Sequence, residues 1–380
     1  MNTPPRSPIV SNTRGHPSEF GQLITEKSKN FVGREFVFAA INEFLHKYAH
    51  GYFTLIGAPG SGKTAILAKY VTENPHVIYY SAQVEGKNRA DEFLITICNQ
   101  LIDYLRATTR DCPYTSLPDN ATEGSWFLSL LLQKISDNLE PDQQLIIAID
   151  ALDAIAPNSQ PASSNLFYLP RYLPHKVYFL LTRRPFVRER SRLLIEAPSQ
   201  VLNLEDYPEQ NRDDVQVYIQ QCFTLGGVLN SWLTTYHLTE PKFIQQLTAQ
   251  SEKNFMYLSQ ILPATAQEFD SEPYQFDHLP PGLEAYYQSH WQRMGDKDLS
   301  AVELGVLCCL TTPQPLLNKE GISTELIAQT IDEDEYEVET ILENWIEFLQ
   351  QQQIEGETRY RLYHSHFRDW LSQRISNLTP

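Results

Sequence analysis

The sequence predicts an α/β fold built on a parallel sheet, followed by a small helical domain and a winged-helix domain. Three observations support this prediction. Apolar strand-like runs alternate with helical patterns as far as residue 205, as in β-α units with parallel strands. The strand-like runs then stop, and helical patterns continue to about residue 270. In the last hundred residues, helical patterns precede a polar–apolar alternation that indicates a β-hairpin, which is the order of elements in a winged helix.

Five apolar, β-branched or aromatic runs predict the strands of the sheet. They are residues 52–57, 77–83, 145–150, 177–182 and 201–205. Continuous apolar strands of this kind are buried on both faces, as in parallel sheets covered by helices. Helical patterns at 89–105 and 125–138 separate several of the strands.

Helical periodicity dominates the rest of the chain. The predicted helices of the helical domain are residues 212–224, 241–250 and 254–267. The predicted elements of the winged-helix domain are helices at 282–294, 301–310, 323–330 and 334–350, a hairpin at 351–363 and a helix at 364–375.

A phosphate-binding loop follows the first predicted strand. Residues 57–64 read G-A-P-G-S-G-K-T and fit the pattern G-x-x-x-x-G-K-[ST], with a strand before it and a helix after it. Glycines let the backbone wrap closely around phosphate oxygens, and the helix N-terminus adds a positive partial charge. The residues predicted to bind nucleotide phosphates are Gly57, Ala58, Pro59, Gly60, Ser61, Gly62, Lys63, Thr64 and Ala65. Lys63 is expected to reach the β- and γ-phosphates, and the Thr64 hydroxyl to bind Mg²⁺.

A second buried strand ends in an acid. Residues 145–150 read L-I-I-A-I-D, the form of a Walker B strand, and Asp150 is expected to hold Mg²⁺ through a water molecule. The alternative interpretation is a buried strand followed by an exposed aspartate. Asp153 follows shortly after, where it either orients the attacking water or caps the next helix.

A third buried strand, residues 177–185 with the sequence V-Y-F-L-L-T-R-R-P, ends in cations. An arginine at the tip of a strand beside the loop can sense the γ-phosphate. Its planar fork suits phosphate oxygens, which a lysine meets only as a point charge.

These features divide the chain into four regions. Residues 1–29, rich in Pro, Ser, Asn and Thr, are expected to form a flexible tail. A P-loop nucleotide-binding domain is predicted over 30–207, a helical domain over 208–272 and a winged-helix domain over 273–380, which opens with a proline-rich linker.

The formal net charge of −17 over 380 residues argues against a general binder of nucleic acid or anionic membranes. From residue 280 onward there are seven Lys or Arg and seventeen Asp or Glu. The acids of the predicted recognition helix are Asp334, Glu335, Glu337, Glu339, Glu343 and Glu347. Phosphate would repel such a helix in a major groove, so a nucleic-acid partner is not expected.

The five cysteines are odd in number and show no metal-type spacing, which favours a reducing compartment. No apolar run approaches the length of a membrane span, and the N-terminus lacks the apolar region of a signal peptide. We therefore expect a cytoplasmic protein without a membrane partner.

Taken together, these motifs resemble the STAND class of signalling ATPases, in its NACHT-like branch, which is related to the AAA+ ATPases. The segment F-V-G-R-E at 31–35 resembles the one that opens such modules and packs by the adenine, which implies that Val32 and Arg34 contact the nucleotide. The Walker A loop is complete. The segment D-A-L-D-A at 150–154 resembles the family's D-G-L-D-E.

Two further segments carry the resemblance. T-R-R-P at 182–185 resembles the T-S-R-P sensor and puts Arg184 in the sensor position. The segment at 362–371 resembles the final helix of the winged-helix domain. There His364 matches the histidine that contacts the ADP β-phosphate in the resting state. The alternative is a purely structural role for His364, as a buried histidine whose ring forms hydrogen bonds with the backbone.

The resemblance covers about residues 31–375 and implies a P-loop NTPase of the ASCE/AAA+-like class. It also implies a switch in which ADP holds the winged helix closed, and exchange for ATP opens it and permits self-association. The catalytic residues implied are Lys63, Asp150, Asp153 and Arg184, with Mg²⁺ and ATP or ADP bound. Because Ala154 stands where the family has an acid, hydrolysis is expected to be slow.

The sequence leaves other interpretations of the chain and its function open. The residues before and after the module are too few for an effector or a repeat sensor. Two interpretations therefore remain open: a fragment of a longer receptor, or a minimal protein with an effector or sensor partner. The main functional alternative is an origin-binding-type AAA+ ATPase with a DNA-binding winged helix. A third is a scaffold that binds nucleotide without turning it over.

Overall fold

The computed structural model describes residues 17–109, 112–156, 159–161, 163–185, 193–225, 233, 239–259, 262, 281–312, 321–354 and 356–376. These residues form two compact units. The first comprises the described residues from 17 to 210, except Ala58–Gly62 and Pro185. The second comprises Ala58–Gly62, Pro185 and the described residues from 211 onward.

Five parallel strands form the sheet of the first unit, in the order β2-β3-β4-β1-β5. The strands are β1 (Gly51–Ile56), β2 (Ile78–Ser81), β3 (Leu145–Asp150), β4 (Val177–Arg183) and β5 (Ser199–Asn203). The five predicted strands are therefore confirmed, with ends that shift by one or two residues. Because parallel strands share one carboxyl edge, the residues that follow β1 to β4 emerge on the same side of the sheet.

Helices surround this sheet. They are α1 (Ser18–Ser28), α2 (Glu35–Lys47), α3 (Lys63–Glu73), α4 (Ala90–Thr108) and α5 (Trp126–Ser136). In α4, Phe93, Ile97, Leu101 and Leu105 recur at every fourth residue and are buried, which is the stripe that an amphipathic helix turns towards a core. All of β3 and nearly all of β1 are buried as well. The core of this unit therefore lies between its helices and the central strands.

The expected flexible tail is wrong for one stretch, because Ser18–Ser28 forms helix α1. Residues 1–16 lie outside the described residues. The helix forms because Phe20 and Ile24, one turn apart, are both buried in the core of the first unit. The composition of the region, which is mostly polar, hid this pair of apolar anchors.

Replacing Phe20 by alanine is expected to lower the free energy of unfolding of the first unit by about 3–5 kcal/mol. The Phe20 ring makes edge contacts with Tyr79 and Tyr80 of β2, at 5.7 and 5.4 Å between ring centroids, and it has no exposed surface. Urea denaturation followed by circular dichroism measures the change. The exposed Gln22→Ala on the same helix is the control, and equal stability of the two variants would contradict a structural role for α1.

The second unit consists mainly of helices. They are α6 (Pro208–Leu225), α7 (Glu240–Ser251), α8 (Pro281–Met294), α9 (Ala301–Thr311), α10 (Thr324–Ile331), α11 (Glu335–Asn344) and α12 (Ser365–Ser376). Its strands are β6 (Ile322–Ser323), β7 (Leu349–Ile354) and β8 (Glu357–Leu362), in an antiparallel sheet of order β6-β8-β7. The predicted hairpin is confirmed, and the two-residue strand β6 was not predicted.

The helix predicted over 334–350 is wrong at its C-terminal end, because α11 ends at Asn344. The next residue, Trp345, is buried, and its indole Nε1 donates a hydrogen bond to the carbonyl oxygen of Met294 at 3.1 Å. This anchor turns the chain through a short 3₁₀ helix into β7. Of the helix predicted over 254–267, residues 255–259 are helical, and most of the remainder lies outside the described residues.

One buried core runs through the second unit. It includes Val215 and Leu258 from the predicted helical domain, and Leu307 and Leu371 from the predicted winged-helix domain. The predicted boundary at 272 lies outside the described residues, so the division into two domains stays a prediction. The same holds for the assignment of the last elements as a winged helix.

The second unit also contains Ala58–Gly62. Within it, the backbone amides of Phe255 and Met256 donate to the carbonyl oxygen of Gly60, at 2.9 and 3.2 Å. Gly60 has a φ of 80°, and a Cβ at this position would lie 2.2 Å from Asn254 Oδ1. Both the backbone conformation and the close approach of Asn254 therefore require glycine here.

In the part of the chain that the structure describes, no helix is long and apolar enough to cross a membrane.

Candidate nucleotide site

The predicted phosphate loop lies between β1 and α3. Lys63 begins α3, and its Nζ donates to the carbonyl oxygen of Gly57 at 2.7 Å. Gly62 has a φ of 94°, a left-handed conformation that favours glycine. Thr64 and Ala65 follow Lys63 in the first turn of the helix. The cation and the hydroxyl that nucleotide binding requires thus lie side by side on one turn.

Asp150, at the end of β3, is fully buried and accepts four side-chain hydrogen bonds. Its Oδ1 accepts from Thr182 Oγ1 at 2.6 Å and from Thr64 Oγ1 at 3.2 Å. Its Oδ2 accepts from Ser81 Oγ at 3.2 Å and from Gln83 Nε2 at 3.1 Å. A buried carboxylate is tolerated when donors satisfy it in this way. The alternative of an exposed aspartate after the strand is therefore wrong.

The charges of the site influence one another. Burial raises the pKa of Asp150, and the hydroxyl groups that donate to it act in the opposite direction. Burial also lowers the pKa of Lys63 to about 8, while Asp153 and Asp150 raise it and Arg184 lowers it further. Lys63 therefore lies in the field of the other three predicted catalytic residues, and the structure brings these four together in the first unit.

Thr64 and Asp150 fit Mg²⁺ as a ligand set. Both present oxygen atoms, which this hard cation prefers, and Thr64 Oγ1 lies 3.2 Å from Asp150 Oδ1. Proteins usually bind Mg²⁺ through one or two carboxylates together with substrate phosphates and water. Among the described residues there is no group of three or more His, Cys, Asp or Glu that could hold a metal by itself. The residues therefore suit a cation that arrives with a phosphate.

Thr182, in β4, is a member of the site that the sequence did not single out. Besides donating to Asp150, its Oγ1 accepts a hydrogen bond from the backbone amide of Ala151 at 2.9 Å. Ala151 has a φ of 57°, so the chain leaves β3 through a left-handed residue that this bond holds in place. Thr182 thus fixes both the carboxylate of Asp150 and the turn that follows it.

Asp153 and Arg184 form a pair. Arg184 Nε lies 3.3 Å from Asp153 Oδ2, and the backbone amide of Arg184 donates to Asp153 Oδ1 at 2.8 Å. Both side chains are mostly buried, with exposed fractions of 19% and 11%. No side chain caps the 3₁₀ turn Leu152–Ala154 that contains Asp153. The carboxylate of Asp153 links the ends of β3 and β4, and the described residues show no helix that it caps.

The opening segment precedes α2 in the first unit. Arg34 is buried and adopts a left-handed conformation, with a φ of 69°, at the N-terminus of this helix. Its guanidinium carbon lies 5.9 Å from the centre of the Phe36 ring. Val32 is half-buried. A contact of Val32 and Arg34 with the base stays a prediction.

His364 lies in the second unit, just before α12, and is fully buried. Its Nε2 lies 3.1 Å from the carbonyl oxygen of Ser251, and its Nδ1 accepts from the backbone amide of His366 at 3.2 Å. Both ring nitrogens are therefore engaged, as expected for a core histidine. A contact of His364 with a phosphate stays a prediction, and it requires Nε2 to leave Ser251.

Acidification is expected to destabilise the second unit through His364. Burial lowers its pKa to about 4 from 6.5, so the unfolded chain binds the proton more tightly than the folded one. The contribution of the neutral His364 ring to the free energy of unfolding is therefore complete above pH 6.5 and is lost as the pH falls towards 4. The loss between pH 7 and pH 5 is about 2 kcal/mol. Urea unfolding followed by tryptophan fluorescence at several pH values measures it.

Gln replaces the imidazole without a titratable group, so the His364→Gln variant should show a weaker dependence on pH than the wild type. The exposed His175→Gln is the control and should behave as the wild type. An unchanged slope in His364→Gln would mean that another group carries the effect.

Ser81 and Gln83 are the other members of the site that sequence reasoning missed. Ser81 pairs with Asp150 in the register of β2 and β3, and Gln83 follows two residues later. Polar residues at the end of a buried parallel strand and directly after it were the available signal, because the carboxyl ends of β2 and β3 lie at the same edge of the sheet.

Comparison with known proteins agrees with this geometry. Residues 30–180 match the family model described as AAA ATPase domain. None of the curated proteins matches the chain. A Walker-type ATPase of Pyrococcus abyssi is similar in structure, with a TM-score of 0.54 and 12% identity over 91% of this chain and 96% of its own. The fold is that of a P-loop NTPase of the AAA+ type.

Two other solved structures align at lower scores. Drosophila ORC bound to DNA has a TM-score of 0.33 and 12% identity, over 95% of this chain and 99% of that one. The RuvB Holliday junction branch migration motor of Thermotoga maritima has a TM-score of 0.34 and 12% identity, over 89% and 96%. The comparisons support an AAA+-type nucleotide-binding domain.

Proposed function

We propose that this protein is a nucleotide-dependent signalling switch of the STAND type, in its NACHT-like branch, with slow ATPase activity. The loop, Asp150 and Thr64 provide the binding site for Mg²⁺ with ATP or ADP. The resemblance of the motifs supports the finer assignment, and the AAA+-type fold is compatible with it. In this proposal the bound nucleotide acts as a signal, and its hydrolysis resets the switch.

The pairing of Asp153 with Arg184 is the observation that carries the proposal. Asp153 is the acid nearest in sequence to the Walker B aspartate, and it is engaged by both the side chain and the backbone of Arg184. The next position is Ala154, which has no group to orient water. A site with a sensor arginine tied to its candidate base favours retention of the nucleotide over rapid turnover.

The chemistry of the site follows from its residues. Lys63 binds the β- and γ-phosphates and compensates the charge that develops as water attacks the γ-phosphorus and the bond to the ADP oxygen breaks. Arg184, once released from Asp153, adds a second cation, and Asp153 then becomes free to orient the water. Thr64 and Asp150 would hold Mg²⁺, which when bound would supply further charge neutralisation. The products are ADP and inorganic phosphate.

The second unit supplies the response in this proposal. The resemblance assigns its last elements to a winged helix that ADP keeps closed, with His364 at the β-phosphate. Exchange of ADP for ATP then opens the protein for self-association, and an effector or sensor protein is the expected partner. A His364→Ala variant should therefore raise spontaneous oligomerisation in the presence of ADP.

Mass photometry with ADP and with a non-hydrolysable ATP analogue tests the switch. We expect a monomer with ADP and larger assemblies with the analogue. The same mass distribution with both nucleotides would contradict the switch. A His364→Ala variant that retains ADP and stays monomeric would contradict the proposed role of His364 in keeping the ADP state closed.

A second candidate is an origin-binding-type AAA+ ATPase whose winged helix binds DNA. The order of elements from α9 to β8 favours it, since helices followed by a hairpin also occur in DNA-binding winged helices. The acidic α11 disfavours it. Fluorescence anisotropy with labelled duplex DNA at several salt concentrations separates the two. Nanomolar, salt-dependent affinity would favour the DNA-binding function.

A further inference from the structure

The amide of Gln83 spans the two side chains assigned to Mg²⁺. Its Nε2 donates to Thr64 Oγ1 at 2.9 Å and to Asp150 Oδ2 at 3.1 Å. Gln83 itself is exposed, whereas Asp150 has no exposed surface. One exposed amide group thus bridges a buried carboxylate and the hydroxyl of the phosphate-binding turn.

The hydrogen-bond inventory requires the nitrogen of this amide to face inward. Thr64 has a single hydroxyl proton and gives it to Asp150 Oδ1, so its oxygen can only accept from Gln83. Asp150 Oδ2 is a carboxylate oxygen and accepts as well. Because Thr64 Oγ1 and Asp150 Oδ2 both accept, the NH₂ group of the Gln83 amide must face them, which fixes the orientation of the amide.

Gln83 occupies acceptor positions that a divalent cation and its water would use. Four donors fill the acceptor positions of the Asp150 carboxylate, so a water bound to Mg²⁺ could donate to Oδ2 only in the place of Gln83. At Thr64 the amide hydrogen takes one of the two lone pairs of the hydroxyl oxygen that the cation would bind. Among the described residues, the hydrogen bonds of Gln83 are the two at its amide tip and one from its backbone amide to Ser81 Oγ at 3.4 Å. Gln83 is exposed, so solvent can replace the two bonds at its tip.

We propose that Gln83 competes with Mg²⁺ for Thr64 and Asp150. It satisfies the buried carboxylate and the hydroxyl when the cation is away, and it swings out when Mg²⁺ enters with the nucleotide. The residue thereby sets the Mg²⁺ concentration at which the site fills and keeps the metal-free form folded. This inference rests on the proposed Mg²⁺-nucleotide site.

The Gln83→Met variant tests this competition. Methionine has similar length and no donor, so the metal-free form loses its bridge while the metal-bound form loses nothing. The Mg²⁺ concentration that gives half of the gain in affinity for a fluorescent ADP analogue should fall about 3- to 10-fold. The melting temperature without Mg²⁺ should fall by about 2–4 °C, and that of the Mg²⁺–ADP complex should stay unchanged.

Gln133→Met is the matched control, because Gln133 is an exposed glutamine on α5 whose amide bonds to Asp137. It should leave both readouts unchanged. A rise or no change in the half-effective Mg²⁺ concentration of Gln83→Met, or an equal loss of melting temperature in both states, would overturn the competition. If ADP affinity of the wild type does not depend on Mg²⁺ at all, the proposed function of the site fails instead.

Discussion

Replacing Lys63 by alanine is expected to weaken the binding of ADP and ATP about 10- to 100-fold and to abolish turnover. The ammonium lies at the start of α3 with its Nζ directed to the Gly57 carbonyl, and burial has already lowered its pKa. A phosphate would provide this ammonium with a strong partner that the backbone carbonyl only partly replaces. Titration with a fluorescent ADP analogue and an assay of phosphate release measure the two effects.

Lys69→Ala is the control for this variant. Lys69 lies on the same helix, and its partner is Glu73 in a surface ion pair at 3.0 Å. Its loss should change stability by less than about 1 kcal/mol and nucleotide affinity not at all. If Lys63→Ala and Lys69→Ala bind ADP equally well, the assignment of the loop as a phosphate site is wrong.

The Asp150→Asn variant is expected to lose the effect of Mg²⁺ on nucleotide affinity and to release phosphate at background rate. Asparagine keeps the shape of the side chain but removes the charge. Its amide also places a donor against Ser81 Oγ or Gln83 Nε2, and this costs about 1–3 kcal/mol of folding stability. Nucleotide titrations with Mg²⁺ and with a chelator measure the first effect, and circular dichroism on heating measures the second.

Asp142→Asn, an exposed position before β3, is the control for Asp150. Equal phosphate release by the wild type, Asp150→Asn and Lys63→Ala would contradict the ATPase activity and favour a scaffold that only binds nucleotide. Retention of the Mg²⁺ effect in Asp150→Asn would mean that another carboxylate holds the cation.

The sheet was predictable because its strands are short, apolar and buried on both faces. The strand patterns around residues 55, 80, 147 and 180 have no competing helical reading. The loop was predictable because the residues of its phosphate-binding pattern are consecutive in the sequence, between a strand and a helix. In the same way, Asp150 was found as the only acid in an otherwise apolar run.

The network around Asp150 was harder to predict because it is assembled across strands. Ser81 and Thr182 lie on the two strands that flank β3, and only the register of the sheet brings them to its carboxylate. A hydroxyl at the end of a strand carries no signal of its own until the order β2-β3-β4 is known. The pairing of Asp153 with Arg184 was hidden for the same reason.

Helix α1 was not predicted, although the residues that anchor it lie within one short stretch of the sequence. The two residues that anchor it, Phe20 and Ile24, stand among polar residues, and composition outweighed their spacing. Tertiary contact with Tyr79 and Tyr80 stabilises a helix that local propensity alone does not predict.

Calorimetric titration of the nucleotide-free protein with ADP, with and without Mg²⁺, measures whether the loop, Thr64 and Asp150 bind a nucleotide with its cation. We expect saturable binding of one nucleotide per chain, tighter in the presence of Mg²⁺ and strongly weakened in Lys63→Ala. Absence of binding, or binding that neither Mg²⁺ nor Lys63 affects, would contradict this expectation.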